Sequence, residues 1–115
     1  MKKKNTLLLF LCLFSLWAVA QEKKPVKIAC VGNSITYGSG IKNQFQNSYP
    51  GLLSQLLGEG YDVRNFGISA RVLLNKGDHP YMHEQKFRDL LAFQPDIVTI
   101  KLGTNDSKPW NWRYG

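Results

Sequence analysis

Three short stretches bring together residue types that can do chemistry: Gly32-Asn33-Ser34, Gly67-Ile68-Ser69 and Gly103-Thr104-Asn105-Asp106. Each follows an apolar, strand-like run: Val26 to Val31, Tyr61 to Phe66, and Ile97 to Leu102. A serine hydroxyl can attack an acyl carbon. The oxygen that then becomes negative needs hydrogen-bond donors already in place. Ser34 brings the hydroxyl and, at the start of a helix, its own N–H. Gly67 offers a backbone N–H at close approach, because it has no side chain. Asn105 offers a side-chain N–H. Taken singly, each stretch has a plainer meaning. Gly-Asn-Ser makes a turn, and Asn105-Asp106 caps a helix. Their recurrence at three successive strand ends is the stronger signal, and it points to acyl transfer.

The elements that must hold these residues alternate as β-α-β-α-β. Ser48-Tyr49-Pro50 opens a helix, since proline at the first helical position forfeits no intrahelical bond. Leu52, Leu53, Leu56 and Leu57 follow at helical spacing, and Gly58 and Gly60 stop the run. A second helix is expected from about Tyr81 to Phe93, with Phe87, Leu90 and Leu91 on its apolar face. Strands joined by helices argue an α/β fold with a parallel sheet covered on both faces. With strand one between the other two, the order is 2-1-3, the start of a flavodoxin-like sheet. Ligands of such sheets bind beyond the carboxyl ends of the strands. All three polar turns lie there, with Ser34 in the middle.

Other motifs fail on spacing. No lysine follows Gly38 as a phosphate loop requires, Gly38-Ser39-Gly40 lacks its third glycine, and Thr36 stands where a nucleophile elbow needs glycine. His79 and His83 are four apart and would share a helix face. Pro80 and the lack of a third ligand argue against a metal, so no metal and no cofactor is expected. Asp78 is expected to cap the helix that follows.

The chain opens on Lys2-Lys3-Lys4, runs apolar from Leu7 to Val19 with one break at Ser15, and reaches Ala18-Val19-Ala20 before Gln21. That is the pattern of a signal peptide over residues 1–20, removed after Ala20. The apolar run is shorter than the ~20 residues that a membrane span needs, so no stable membrane anchor is expected after cleavage. Bulky Leu11 makes Cys12 a poor lipid-attachment cysteine. The formal charge of +7 over 115 residues then loses three lysines. The remaining excess is spread along the chain and forms no stripe for nucleic acid. Cys30 is left alone in an apolar run, as a small buried hydrophobe. The expected location is secreted or periplasmic.

With these residues in view, the chain resembles the SGNH hydrolases, also called the GDSL esterase/lipase family. Gly32-Asn33-Ser34-Ile35-Thr36 matches the first block, Asn65-Phe66-Gly67-Ile68-Ser69 the second, and Gly103-Thr104-Asn105-Asp106 the third. The resemblance covers about residues 26 to 112, and the chain further looks like the exported sialate O-acetylesterase-like bacterial branch. It implies a three-layer α/β/α sandwich with Ser34 as nucleophile, Gly67 and Asn105 at the oxyanion, and no metal. Two departures stand out. Asn33 replaces the aspartate usual before the nucleophile. The fourth block, Asp-x-x-His, which carries the catalytic base, is absent. The family's base position matches neither His79 nor His83. Residues 21–115 are therefore expected to be the N-terminal portion of a longer domain, poorly active by itself.

The resemblance implies a small carboxylic ester as substrate, such as an O-acetylated sugar. Trp110 and Trp112, around Asn111, are candidate walls of a sugar pocket; burial against other parts of the domain is the alternative. Arg71 and Lys76 could meet an anionic sugar, although a solvated surface role suits both. Asn105-Asp106-Ser107 also spells a glycosylation sequon, which a place in the site argues against. The rival from another class is an exported carbohydrate-binding module of the same fold that has lost its chemistry.

Overall fold

The computed structural model describes residues 23–114. The expected signal peptide over 1–20 lies outside the described residues. In chain order the elements are β1 (Val26–Gly32), α1 (Ser34–Tyr37), α2 (Gln44–Asn47), α3 (Tyr49–Leu57), β2 (Tyr61–Gly67), a 3₁₀ turn (Tyr81–His83), α4 (Gln85–Phe93), β3 (Ile97–Lys101) and a 3₁₀ turn (Pro109–Tyr114). The sheet is parallel throughout, in the order β2-β1-β3. That is the order expected from the sequence.

Period-two alternation explains how β1 serves both faces. Ala29 and Val31 join Phe66, Tyr81, Leu90 and Phe93 in the main core, on the α4 side. Cys30 is fully buried on the opposite face, the side of Tyr49 in α3. Phe66 and Phe93 pack with ring centroids 5.7 Å apart. Asp96 fastens the start of β3 to β1. Its carboxylate accepts the Lys27 N–H at 2.8 Å, and its own N–H donates to the Lys27 carbonyl at 2.9 Å.

Two features of the helices go beyond or against the sequence reading. The leucine stripe of α3 is not a buried seam: Leu52, Leu56 and Leu57 are exposed and only Leu53 is half-buried. The helix expected from Tyr81 breaks at Glu84, whose extended backbone (φ −83°, ψ 151°) separates the 3₁₀ turn from α4. His79 lies before that turn, at φ +54°, so the two histidines do not share a helix face. All five β3 residues are exposed. Ile97, Val98 and Ile100 thus form an apolar outer edge strand.

Candidate active site

The register sets the stage. Gly32 of β1 stands opposite Gly67 of β2 and Lys101 of β3. The three carboxyl ends are level, and the turns after them meet at one edge. The Ile68 N–H donates to the Gly32 carbonyl at 3.0 Å, which extends the β1–β2 pairing one step beyond the strands.

Strands β1 and β2 end in the same local device. Asn33 Oδ1 accepts the Ile35 N–H at 3.1 Å, and Asn65 Oδ1 accepts the Gly67 N–H at 2.9 Å. An asparagine bonding the amide two residues on turns the backbone out of its extended course. At Asn33 this caps α1 and leaves Ser34 as the first helical residue, partly buried at the middle of the edge. The first N–H groups of a helix have no intrahelical partner. Among the described residues, none accepts from the Ser34 N–H.

Gly67 is placed differently from the sequence expectation. Its N–H donates to Asn65, so it would reach an oxyanion only by giving up that bond. The missing side chain has a clear packing role instead. A Cβ at Gly67 would fall 2.8 Å from the Thr36 carbonyl carbon and from Tyr37 Cα. Gly67 therefore lets the end of β2 press against the backbone of α1. The Asn65 amide adds bonds to the carbonyls of Thr36 and Tyr37 at 2.9 and 3.3 Å.

Asn105 is held from both ends. Its Nδ2 donates to the Arg71 carbonyl at 3.0 Å, and its own carbonyl accepts from Asn111 Nδ2 at 2.9 Å. One of its two amide hydrogens is thus used for orientation, and the second remains available. Asp106 accepts the N–H groups of Leu73 and Leu74 at 3.0 and 2.7 Å. Buried Asn111 accepts the Asp78 N–H at 2.7 Å. These bonds knit the loop after β2 to the loop after β3. Sequence reasoning singled out neither Asp106 nor Asn111 for this work. Arg71 is not a solvated cation: its Nε pairs with Glu84 at 2.7 Å and its Nη1 donates to the Ser69 carbonyl at 3.1 Å. Lys76 is exposed.

The histidines serve their own loop. His79 Nε2 lies 3.2 Å from Asp78, and His83 Nε2 lies 2.9 Å from Asn75. Asp78 does not cap a helix; its carboxylate also accepts the Trp110 indole N–H at 3.3 Å. Trp112 donates to the Ser107 carbonyl at 3.2 Å. Both tryptophan rings are largely exposed, and neither lines the groove of about 750 Å³ found beside α1. Among the described residues, no three His, Cys, Asp or Glu side chains cluster as a metal site would need. No helix among them is long and apolar enough to cross a membrane.

Burial shapes two titrating groups near the edge. It pushes the Tyr81 phenol up to about 12, while the hydroxyl donates to the Phe66 carbonyl at 2.5 Å. It lowers the Lys86 ammonium, against the opposing charge of Asp89. Lys86 Nζ donates to the Gly67 carbonyl at 3.1 Å.

Known proteins share the sequence pattern and the fold of this chain. The model of the GDSL-like Lipase/Acylhydrolase family matches residues 30–114. The chain is 57% identical over 96 residues to a protein of Xylanibacter ruminicola named acetylxylan esterase. That match covers 84% of this chain and 20% of the relative, so the chain spans about a fifth of its length. Among solved structures, a mutant of Esterase AlinE4 superimposes with a TM-score of 0.55 at 25% identity, covering 75% of this chain and 44% of that one.

Proposed function

The chain belongs to the GDSL-like Lipase/Acylhydrolase family, and from that premise we propose that it carries the nucleophile end of an exported carboxylic-ester hydrolase. One observation carries this reading. The level register supports it: β1, which leads into Ser34, lies between β2, which ends at Gly67, and β3, which leads towards Asn105, whose amide donates to the Arg71 carbonyl. In the proposed reaction Ser34 Oγ attacks the acyl carbon and loses its proton to a histidine outside the described residues, because His79 and His83 are engaged in their own loop. The carbonyl oxygen takes up the negative charge and accepts from the Ser34 N–H and the second hydrogen of Asn105 Nδ2. The Gly67 N–H joins only on release from Asn65. Collapse expels the alcohol, which takes the proton from the histidine, and water then hydrolyses the acyl-serine.

The proposed substrate is an O-acetylated sugar, the kind of ester named by the acetylxylan esterase relative. Export is proposed from the lysine start, apolar run and Ala-x-Ala end of residues 1–20. A serine-reactive fluorophosphonate probe on the full-length protein tests the chemistry. Labelling should vanish in Ser34→Ala. Asn105→Ala should slow acetyl release by about a hundredfold, the usual effect of losing one oxyanion donor. A folded full-length protein that takes no label would replace this reading with a carbohydrate-binding one.

A further inference from the structure

A groove of about 750 Å³ runs along the outer edge of β2, between α2 and α3 on one side and α4 on the other. Its volume is that of a small-ligand site. It starts at Tyr37, the last residue of α1 and three residues beyond Ser34. That is about 4.5 Å along a helix axis. We propose that this groove binds a neutral sugar chain, the main chain of the polysaccharide whose ester Ser34 would attack. The identity of the sugar rests on the hydrolase reading above; the groove's preference for a neutral polyhydroxyl ligand does not.

Three features carry the assignment. The first is Phe45, which lines the groove with 92% of its surface exposed. It contributes little to the core, and its ring offers an apolar face of the kind that sugar rings stack on. The second is a pair of fixed amides. Gln44 Nε2 donates to the Tyr37 carbonyl, and Gln55 Nε2 donates to the Gln46 carbonyl at 2.9 Å. Each bond sets the plane of an amide and leaves its Oε1 as an acceptor for a hydroxyl.

The third is that the charges are already partnered. Arg64 pairs with Asp62 at 2.8 Å, Lys86 donates to the Gly67 carbonyl at 3.1 Å, and Asp89 accepts from Gln85 at 2.9 Å. Arg64 is balanced by Asp62, and Lys86 feels the opposing charge of Asp89, so the lining offers an ionic ligand little net charge to pair with, whereas hydroxyls need none. A peptide strand fits less well. At the site end of β2, the Gly67 N–H and carbonyl are taken by Asn65 and Lys86, so an added strand cannot pair there.

The experiment titrates the full-length protein with xylohexaose, a neutral xylan fragment without esters, by calorimetry and by NMR of the Gln44 and Gln55 side-chain amides. The expected result is saturable binding with shifts at both amides. It should weaken about tenfold, or 1.4 kcal/mol, in Phe45→Ala and again in Gln55→Leu. Both side chains are exposed, so thermal melts should match the unmodified protein. No binding, affinity unchanged in both variants, or equal affinity for anionic oligogalacturonate would each overturn the proposal. Fluorophosphonate labelling on the same sample separates the two readings. Label without xylohexaose binding removes the groove assignment and leaves the hydrolase. Binding without label does the reverse.

Discussion

Replacing Gly67 with alanine tests the idea that β2 and the Ser34 helix are held in backbone contact. The new Cβ would lie 2.8 Å from the Thr36 carbonyl carbon and Tyr37 Cα, and closer still to the Tyr37 nitrogen. Ordinary contact begins at 3.4 Å. The obstructing atoms are backbone, so no rotamer change relieves the clash. Overpacking of this kind costs about 1–3 kcal/mol. For a full-length domain of about 150–250 residues, about 2 kcal/mol lowers the melting temperature by roughly 4–8 °C. The alternative to strain is movement of α1 by about 1 Å, and a misplacement of that size costs a reacting group about a hundredfold in rate. The assay pairs a melt followed by circular dichroism with the rate of fluorophosphonate labelling at Ser34 in the full-length protein. Gly60→Ala is the control, because a Cβ there meets nothing within 4 Å. It should be neutral or slightly stabilising. If Gly67→Ala melts within about 2 °C of the unmodified protein and labels at its rate, the close-approach argument is wrong.

Two further outcomes are expected. Tyr81 is held neutral in the folded protein, with its phenol pushed up to about 12 by burial against ~10 in the unfolded chain. Its stabilisation is complete below pH ~10 and is lost as pH rises towards 12, amounting to about 3 kcal/mol at most. Urea melts at pH 9 and 11.5 should show this loss, and Tyr81→Phe should flatten that part of the profile. Asn111→Ala removes the side chain that accepts from Asp78 and donates to Asn105. It should cost about 2–3 kcal/mol, since buried partners are left unpaired, and proteolysis should show looser loops after β2 and β3. Unchanged cleavage would count against the knitting of those loops.

Much of the frame was legible in the chain because it is local. β-branched runs ending in glycine mark the strands, and Ser48-Tyr49-Pro50 marks the start of α3 with the bounds later observed. The alternation of strand and helix restricts the sheet to a few orders, of which β2-β1-β3 is the one found. Burial was less legible. Helical spacing marks Leu52 and Leu56 as one stripe, but spacing says nothing of what stands opposite, and both are exposed. The break at Glu84 was equally hidden, because Tyr81 is drawn into the core by its bond to Phe66 rather than by the helix pattern that follows.

The candidate site divides along the same line. Ser34, Gly67 and Asn105 could be picked out by residue type and by their place after strands, since a turn and a glycine are short-range facts. Their partners could not. The Gly67 N–H is claimed by Asn65, Asn105 is aimed by Arg71 and Asn111, and Arg71 is neutralised by Glu84. The sequence by itself determined the strands, their alternation with helices and the polar residues at their ends, because these follow from periodicity and local backbone preference. Only the tertiary structure decided which donors are spent and which remain, because hydrogen bonds between loops 13 to 34 residues apart depend on where the sheet register brings those loops together.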